Sequence, residues 1–117
     1  MIMLALTEMG VLSSRFFPIF SHITESASGA VLLSYFCDLS DKHRGDWFSV
    51  TRETLSLETG LTRSEQERGR RVLVDLGIIA EKRVGLPAKR HFRLNEFTLQ
   101  DAVRKTTRRL LKELENG

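Results

Sequence analysis

The chain is poor in the residues that most small reactive or cross-linked proteins need: one cysteine, one tryptophan, one tyrosine, two prolines and three histidines in 117 residues. A single Cys37 excludes an intramolecular disulfide. With no His or acid at a catalytic spacing, it reads as a small buried hydrophobe rather than a nucleophile. His22, His43 and His91 lie far apart in sequence, and none belongs to a Cys/His pair with metal-ligand spacing, so no structural metal is expected. Gly69, Gly77 and Gly85 are single glycines, one on a helix face and two at turns, and do not form a phosphate-cradling loop. Long apolar runs are also missing. The longest candidate, Ala27–Leu39, is broken by Ser28, Gly29, Ser34 and Asp38 and falls short of the roughly 18–20 residues of a membrane span. Met1–Leu6 is too short for a secretory signal and no basic residues precede it, so a reducing cytoplasm is the expected compartment. No acid/base pair, nucleophile or cofactor motif emerges, so the chain is expected to be no enzyme and to carry no cofactor.

What is present is the material of one globular domain, with 41% hydrophobic and 28% charged residues. A chain of this length buries roughly 65% of its unfolded surface, enough for one core. The formal charge of +3 is unevenly distributed. Residues 1–60 hold four Lys/Arg against seven Asp/Glu, whereas residues 61–117 hold fourteen against eight. Lys82–Arg93 contains Lys82, Arg83, Lys89, Arg90 and Arg93 and no acid, and Arg104–Lys112 adds five more basic residues. Clusters of this kind suit a polyanionic partner.

Periodicity predicts the elements. Arg15–Phe20 reads as a short strand or extended arm whose Phe16, Phe17 and Phe20 dock on the core, because Pro18 opposes a long helix. From Ser26 to about Leu39 apolar residues occupy most of a helix circumference, the mark of a central core helix, with Ser26 or Thr24 as its cap. Ser40–Asp46 reads as an exposed loop. Trp47–Val50 is aromatic and β-branched, a strand that should bury Trp47 in the core. Thr51 then caps a helix of about Arg52–Thr59 that stops at Gly60. Thr62 and Glu65 have capping-box spacing for a second helix, about Arg63–Leu76. Helix, glycine turn, helix is the helix-turn-helix pattern. With Gly69 taken as inward, Gln66, Val72, Leu73 and Leu76 line the core side of that second helix, within about 60°. Arg63, Ser64, Glu67 and Arg71 then face outward, with Arg68 and Arg70 on the shoulders. Ile78–Val84 and Arg90–Leu94 read as a β-hairpin with a basic tip, and about Asn95–Leu114 as a final helix.

Helix, strand, helix, helix and basic hairpin in that order make a winged helix-turn-helix, an α+β, mainly helical fold. Five runs carry a further resemblance. They are Gly29-Ala30-Val31-Leu32-Leu33-Ser34, Gly45-Asp46-Trp47-Phe48, Thr59-Gly60-Leu61-Thr62-Arg63-Ser64-Glu65-Gln66-Glu67, Leu76-Gly77-Ile78-Ile79-Ala80-Glu81-Lys82-Arg83, and Gly85 through Asn95. Over about residues 15–99 the chain resembles the winged helix domains of phage and plasmid replication-type proteins. The expected organisation is an N-terminal arm at 1–14, the winged domain at 15–95 and a C-terminal helix at 96–117. The resemblance implies a double-stranded DNA binder of mobile-element type, in replication or transcriptional control.

On this reading Arg63, Ser64, Glu67, Arg68, Arg70 and Arg71 form the reading surface, since Arg pairs bidentately with guanine and Ser or Arg holds phosphate. Glu65 and Glu67 oppose it somewhat, because they can pair with arginines three or four residues on. Lys82, Arg83, Lys89, Arg90 and His91 form the grip on the backbone. Leu99, Val103, Leu110 and Leu114 form an apolar stripe that packs on the domain or on a second copy. The alternative is a protein-interaction module on a winged-helix scaffold, with a replication or host protein as partner and only non-specific DNA binding. Relatives that initiate replication usually carry a further domain, and the expectation that this chain has none motivates that alternative.

Overall fold

The computed structural model describes residues 18–116. Expectations for the arm at 1–14, and for Arg15, Phe16 and Phe17, lie outside the described residues. Among those described the protein is α+β and mainly helical. In chain order the elements are α1 (Pro18–Thr24), α2 (Ala27–Lys42), β1 (Phe48–Ser49), α3 (Arg52–Thr59), α4 (Arg63–Asp75), β2 (Ile79–Val84), β3 (Lys89–Leu94) and α5 (Glu96–Asn116). The strands form one antiparallel sheet in the order β1-β3-β2. Element order and sheet order are compatible with a winged helix.

Pro18 opens a short helix instead of a strand or extended arm. At a first helical position the missing proline N–H has no helical partner to lose, and its φ is already helical. The corner between α1 and α2 is held by side chains: Thr24 Oγ1 donates to the Phe20 carbonyl at 2.8 Å, and Ser26 Oγ accepts from the Gly29 N–H at 2.9 Å. Ser26 is therefore the cap of α2. α2 runs three residues beyond the expected end, and the loop that follows turns through Arg44 and Gly45 at positive φ.

α2 is the axis of the core. Leu32, Leu33 and Phe36 are almost wholly buried and meet Leu73 of α4, Phe48 of β1 and Phe92 of β3 in one cluster. Helices α2 and α4 approach closely because both carry glycine at the crossing. A Cβ built on Gly69 would lie 2.9 Å from Leu32 Cδ2 and 3.6 Å from Gly29 Cα. Gly29 is tighter still, since its Cβ would stand 2.7 Å from both Cβ and Oγ1 of Thr24. Gly29→Ala is accordingly expected to destabilise the domain by about 1–2 kcal/mol, the strain of overpacking exceeding the gain in helix propensity. Urea unfolding of the two proteins side by side checks this. An unchanged midpoint would mean that the α1–α2 corner relaxes freely.

The first half of α5 packs back on the domain through Leu99, Ala102 and Val103, which lie half-buried against the core. Asn95 Oδ1 accepts from the Thr98 N–H at 3.1 Å and tethers the helix start. Beyond Leu110 the stripe runs into solvent, with Leu111 55% and Leu114 77% exposed. Of the four residues expected to pack on the domain or on a second copy, Leu99 and Val103 pack on the domain. No helix among the described residues is long and apolar enough to cross a membrane.

Candidate nucleic-acid interface

The segment from Thr51 to Asp75 is built to hold α4 in one orientation. Thr51 Oγ1 accepts from the Thr54 N–H, capping α3. Gly60 ends α3 with φ of 75°, a left-handed conformation that glycine adopts without steric penalty, and its N–H reaches the Ser56 carbonyl at 2.8 Å. Leu61 is buried below the turn. At the start of α4 the capping box is complete: Glu65 N–H donates to Thr62 Oγ1 at 3.2 Å, and Thr62 N–H donates to Glu65 Oε1 at 2.9 Å. That bond is the main reason the Glu65 carboxyl lies below its ordinary range. Gln66, buried on the inward face, donates from Nε2 to the carbonyls of Leu61 and Arg52 at 3.1 and 3.3 Å. A single amide so ties α4 to the turn and to the first residue of α3.

The inward face of α4 is Gln66, Gly69 and Leu73, as the 100° step predicts, while Leu76 lies just past the helix and is 46% exposed. Arg63, Ser64, Arg68 and Arg71 are exposed together. Glu67 and Arg70 are not free in the same sense. Arg70 Nη2 donates to Glu67 Oε2 at 2.8 Å, and Arg70 Nη1 donates to Glu81 of β2 at 2.8 Å. Arg90 of β3 completes the group, with Nη1 3.3 Å from Glu67 Oε1 and Nε 3.8 Å from Glu81 Oε2. Two carboxylates and two guanidinium groups therefore latch the hairpin to α4. Arg70 and Arg90, both expected to face a polyanion, spend their charge on this latch.

The latch has a pH signature. Hydrogen bonding from Arg70, reinforced by Arg90, holds the Glu67 carboxyl far down, at about 2. A depressed carboxyl stabilises the fold fully above its unfolded value and loses that contribution as pH falls toward the folded one. With a third of the Glu67 side chain exposed, solvent screening leaves about 1 kcal/mol, lost between about pH 4.5 and about pH 2. The stability difference between the parent and Glu67→Gln is therefore expected to shrink across that window in urea titrations. A difference that stays constant with pH would mean the latch carries no net charge energy.

Strand alternation splits the hairpin's basic residues, which sequence reasoning treated as one grip. Glu81 and Arg83 of β2 share the face that carries Phe92 and Arg90 of β3, the face turned toward α4. Lys82, opposite His91, occupies the other face, as does Lys89. On that outer face Lys82 Nζ sits 4.1 Å from the Trp47 ring centroid, and Arg93 Nε donates to the Gly45 carbonyl at 3.2 Å. Trp47 is half-buried there and is not part of the core, because it lies one residue outside the β1 pairing with β3; Phe48 takes the inward place. His91 Nδ1 lies 3.2 Å from the Lys89 carbonyl.

Sequence reasoning missed Glu81 and Arg52. Glu81 sits just before the acid-free run, and only the β2–β3 register shows that it meets Arg70 and Arg90. Arg52, read only as the start of α3, lines the same groove as Arg70, Arg83 and Arg90. Elsewhere, burial pushes the Cys37 thiol up to about 12, and nearby Asp38, Asp41 and Glu96 add to the shift, so no reactive thiolate forms at neutral pH. Among the described residues no group of three His, Cys, Asp or Glu could hold a metal ion. No family model matches the chain, and no curated protein and no solved structure matches it.

Proposed function

We propose that this protein is a winged helix-turn-helix binder of double-stranded DNA, with α4 in the major groove and the hairpin against the backbone, acting without catalysis or a cofactor. One observation carries the reading. Arg63, Ser64, Arg68 and Arg71 stand exposed on a single helix whose capping box, glycine turn and buried Gln66 hold it rigidly as the second member of a helix-turn-helix. Arg83 is the backbone contact that the latch leaves free on the α4-facing side of the hairpin; Lys82, Lys89 and His91 serve only a duplex that also wraps the outer face. Mobile-element replication or transcriptional control is the setting suggested by the sequence resemblance.

The test is selection from random duplexes of about 20–30 base pairs at two salt concentrations. An enriched motif is the expected result. With four free arginines in reach, log affinity should fall against log salt with a slope of roughly −3 to −4. A palindromic motif would indicate pairing of two copies, for which the end of α5 offers the exposed Leu111 and Leu114. Weak binding with no enriched motif would overturn the reading. It would favour instead the protein-interaction module, a reading supported by the neutralisation of Arg70 and Arg90 by Glu67 and Glu81.

A further inference from the structure

The outer face of the sheet takes no part in the latch. Strand alternation places Lys82 of β2 and Lys89, His91 and Arg93 of β3 on it, and sends Glu81, the one acid of the three strands, to the opposite face. Lys82, Lys89 and Arg93 are exposed and have no ion-pair partner among the described residues. Arg93 donates to the Gly45 carbonyl through Nε, which leaves its two Nη groups for an acceptor from outside. Trp47 stands at the edge of this strip. The exposed Lys82 places Nζ 4.1 Å from its ring centroid, so that ring face is covered by one flexible side chain and not by the core. Beside Trp47 opens a hollow of about 720 Å³. Arg44 and Arg93 line it together with Asp41 and Glu96, so its charges balance, whereas the strand surface beyond it carries cations only.

We propose that this face is a platform for single-stranded nucleic acid, with a base stacked on Trp47 and phosphates on Lys82, Lys89 and Arg93. Lys89 and Arg93 lie four residues apart on one strand, about 14 Å, which is the reach of a few successive nucleotides rather than of one small anion. Stacking of a base on an aromatic ring is stronger than an exposed lysine–ring contact. An arriving base therefore displaces the Lys82 ammonium, which then meets a phosphate. The charge-balanced hollow suits an uncharged base, and the cation-only surface suits the backbone that carries it. A duplex does not fit this arrangement, because the faces of its bases are already stacked on one another. The platform and α4 lie on opposite sides of the sheet, so the proposal stands apart from the duplex reading.

Trp47 is the only tryptophan in the chain, so tryptophan fluorescence reports this site alone. An oligothymidylate of about 12 nucleotides titrated into the full chain should quench it saturably, and a duplex of equal length should quench it far less. Affinity for the labelled strand, read by anisotropy, should fall about tenfold in Trp47→Ala and recover in Trp47→Phe, which keeps a stacking ring. Lys89→Gln should flatten the slope of log affinity against log salt by about 0.7, the contribution of one phosphate contact on a single strand, and Arg71→Ala should leave both readouts unchanged. An oligouridylate arm tells RNA from DNA, the tighter strand being the ligand. The proposal falls if quenching does not saturate, if Trp47→Ala binds as the parent does, or if inorganic polyphosphate, which has the charge and no bases, binds as tightly as the oligonucleotide. Single-strand binding by a protein that enriches no duplex motif would overturn the duplex reading and leave the platform; an enriched duplex motif without quenching by the single strand would do the reverse.

Discussion

Replacing Phe36 with alanine is expected to lower stability by about 3–5 kcal/mol, the largest single loss available in this fold. Phe36 sits at the middle of α2 with 1% of its surface exposed. Its ring meets Phe48 edge-on at 5.6 Å between centroids and Phe92 at 5.0 Å. Phe48 and Phe92 are themselves register partners across β1 and β3. Phe36 is therefore the point at which the sheet docks on the central helix, and its removal leaves a cavity that a two-residue β1 and a hairpin cannot collapse to fill. A domain of this size is typically stable by only about 5–15 kcal/mol, so the variant should unfold at low urea or fail to accumulate. Phe36→Leu, which retains most of the volume, should lose much less. Equilibrium urea unfolding with a common slope measures both. A loss below about 1 kcal/mol for the alanine variant would mean that the sheet does not depend on this contact.

The second large effect is a pair of opposite changes in DNA affinity from neighbouring positions on α4. Arg71→Ala removes an exposed cation from the proposed reading face. It should weaken binding to an enriched site by about 1–3 kcal/mol while changing non-specific affinity little, if Arg71 reads a base. Glu67→Gln acts the other way. It removes a negative charge from the same side of the helix and loosens Arg90, whose bond to Glu67 is lost while its 3.8 Å contact with Glu81 remains. Non-specific duplex affinity should then rise, by roughly threefold to tenfold at low salt, with the salt slope steeper by about one. Fluorescence anisotropy with an enriched and a scrambled duplex, at several salt concentrations, separates the two. A drop in affinity on Glu67→Gln would show that the latch, rather than the released charge, governs binding.

The Glu67 result also bears on why an acid stands in the middle of a basic helix. Read along the chain, Glu67 dilutes the field of four arginines. In three dimensions it selects among them: it engages Arg70 and Arg90 and leaves Arg63, Arg68 and Arg71 exposed. With Glu81, which pairs with the same two arginines, it joins α4 to the hairpin and limits the free charge on the face. Loss of Glu67 should therefore alter both fold stability and DNA affinity, whereas loss of Arg71 should alter affinity alone.

Local chemistry was enough to read most elements from the residues. Thr51, Gly60 and the Thr62/Glu65 box mark helix ends by hydrogen bonds and backbone conformation that depend on near neighbours, and each was legible in sequence. The buried face of α4 followed from helical periodicity, and the two strands of the hairpin from alternation and a glycine turn. Helix α1 was missed because Pro18 marks a helix start as readily as a helix break, and only packing against α2 and α5 distinguishes them. Trp47 was assigned to the core on size, but a shift of one residue along a strand reverses the face, and Phe48 holds the inward position.

The candidate site divides in the same way. That a basic surface exists on α4 and the hairpin is a matter of composition and period, and both are properties of the chain read in order. Which arginines remain available is not, because the Glu67–Arg70–Glu81–Arg90 group joins residues 23 positions apart through the β2–β3 register and the packing of α4 on the sheet. Charge pairing acts over a few ångströms in space regardless of separation along the chain. The number of cations follows from the sequence, and their division into structural and free ones follows from the fold.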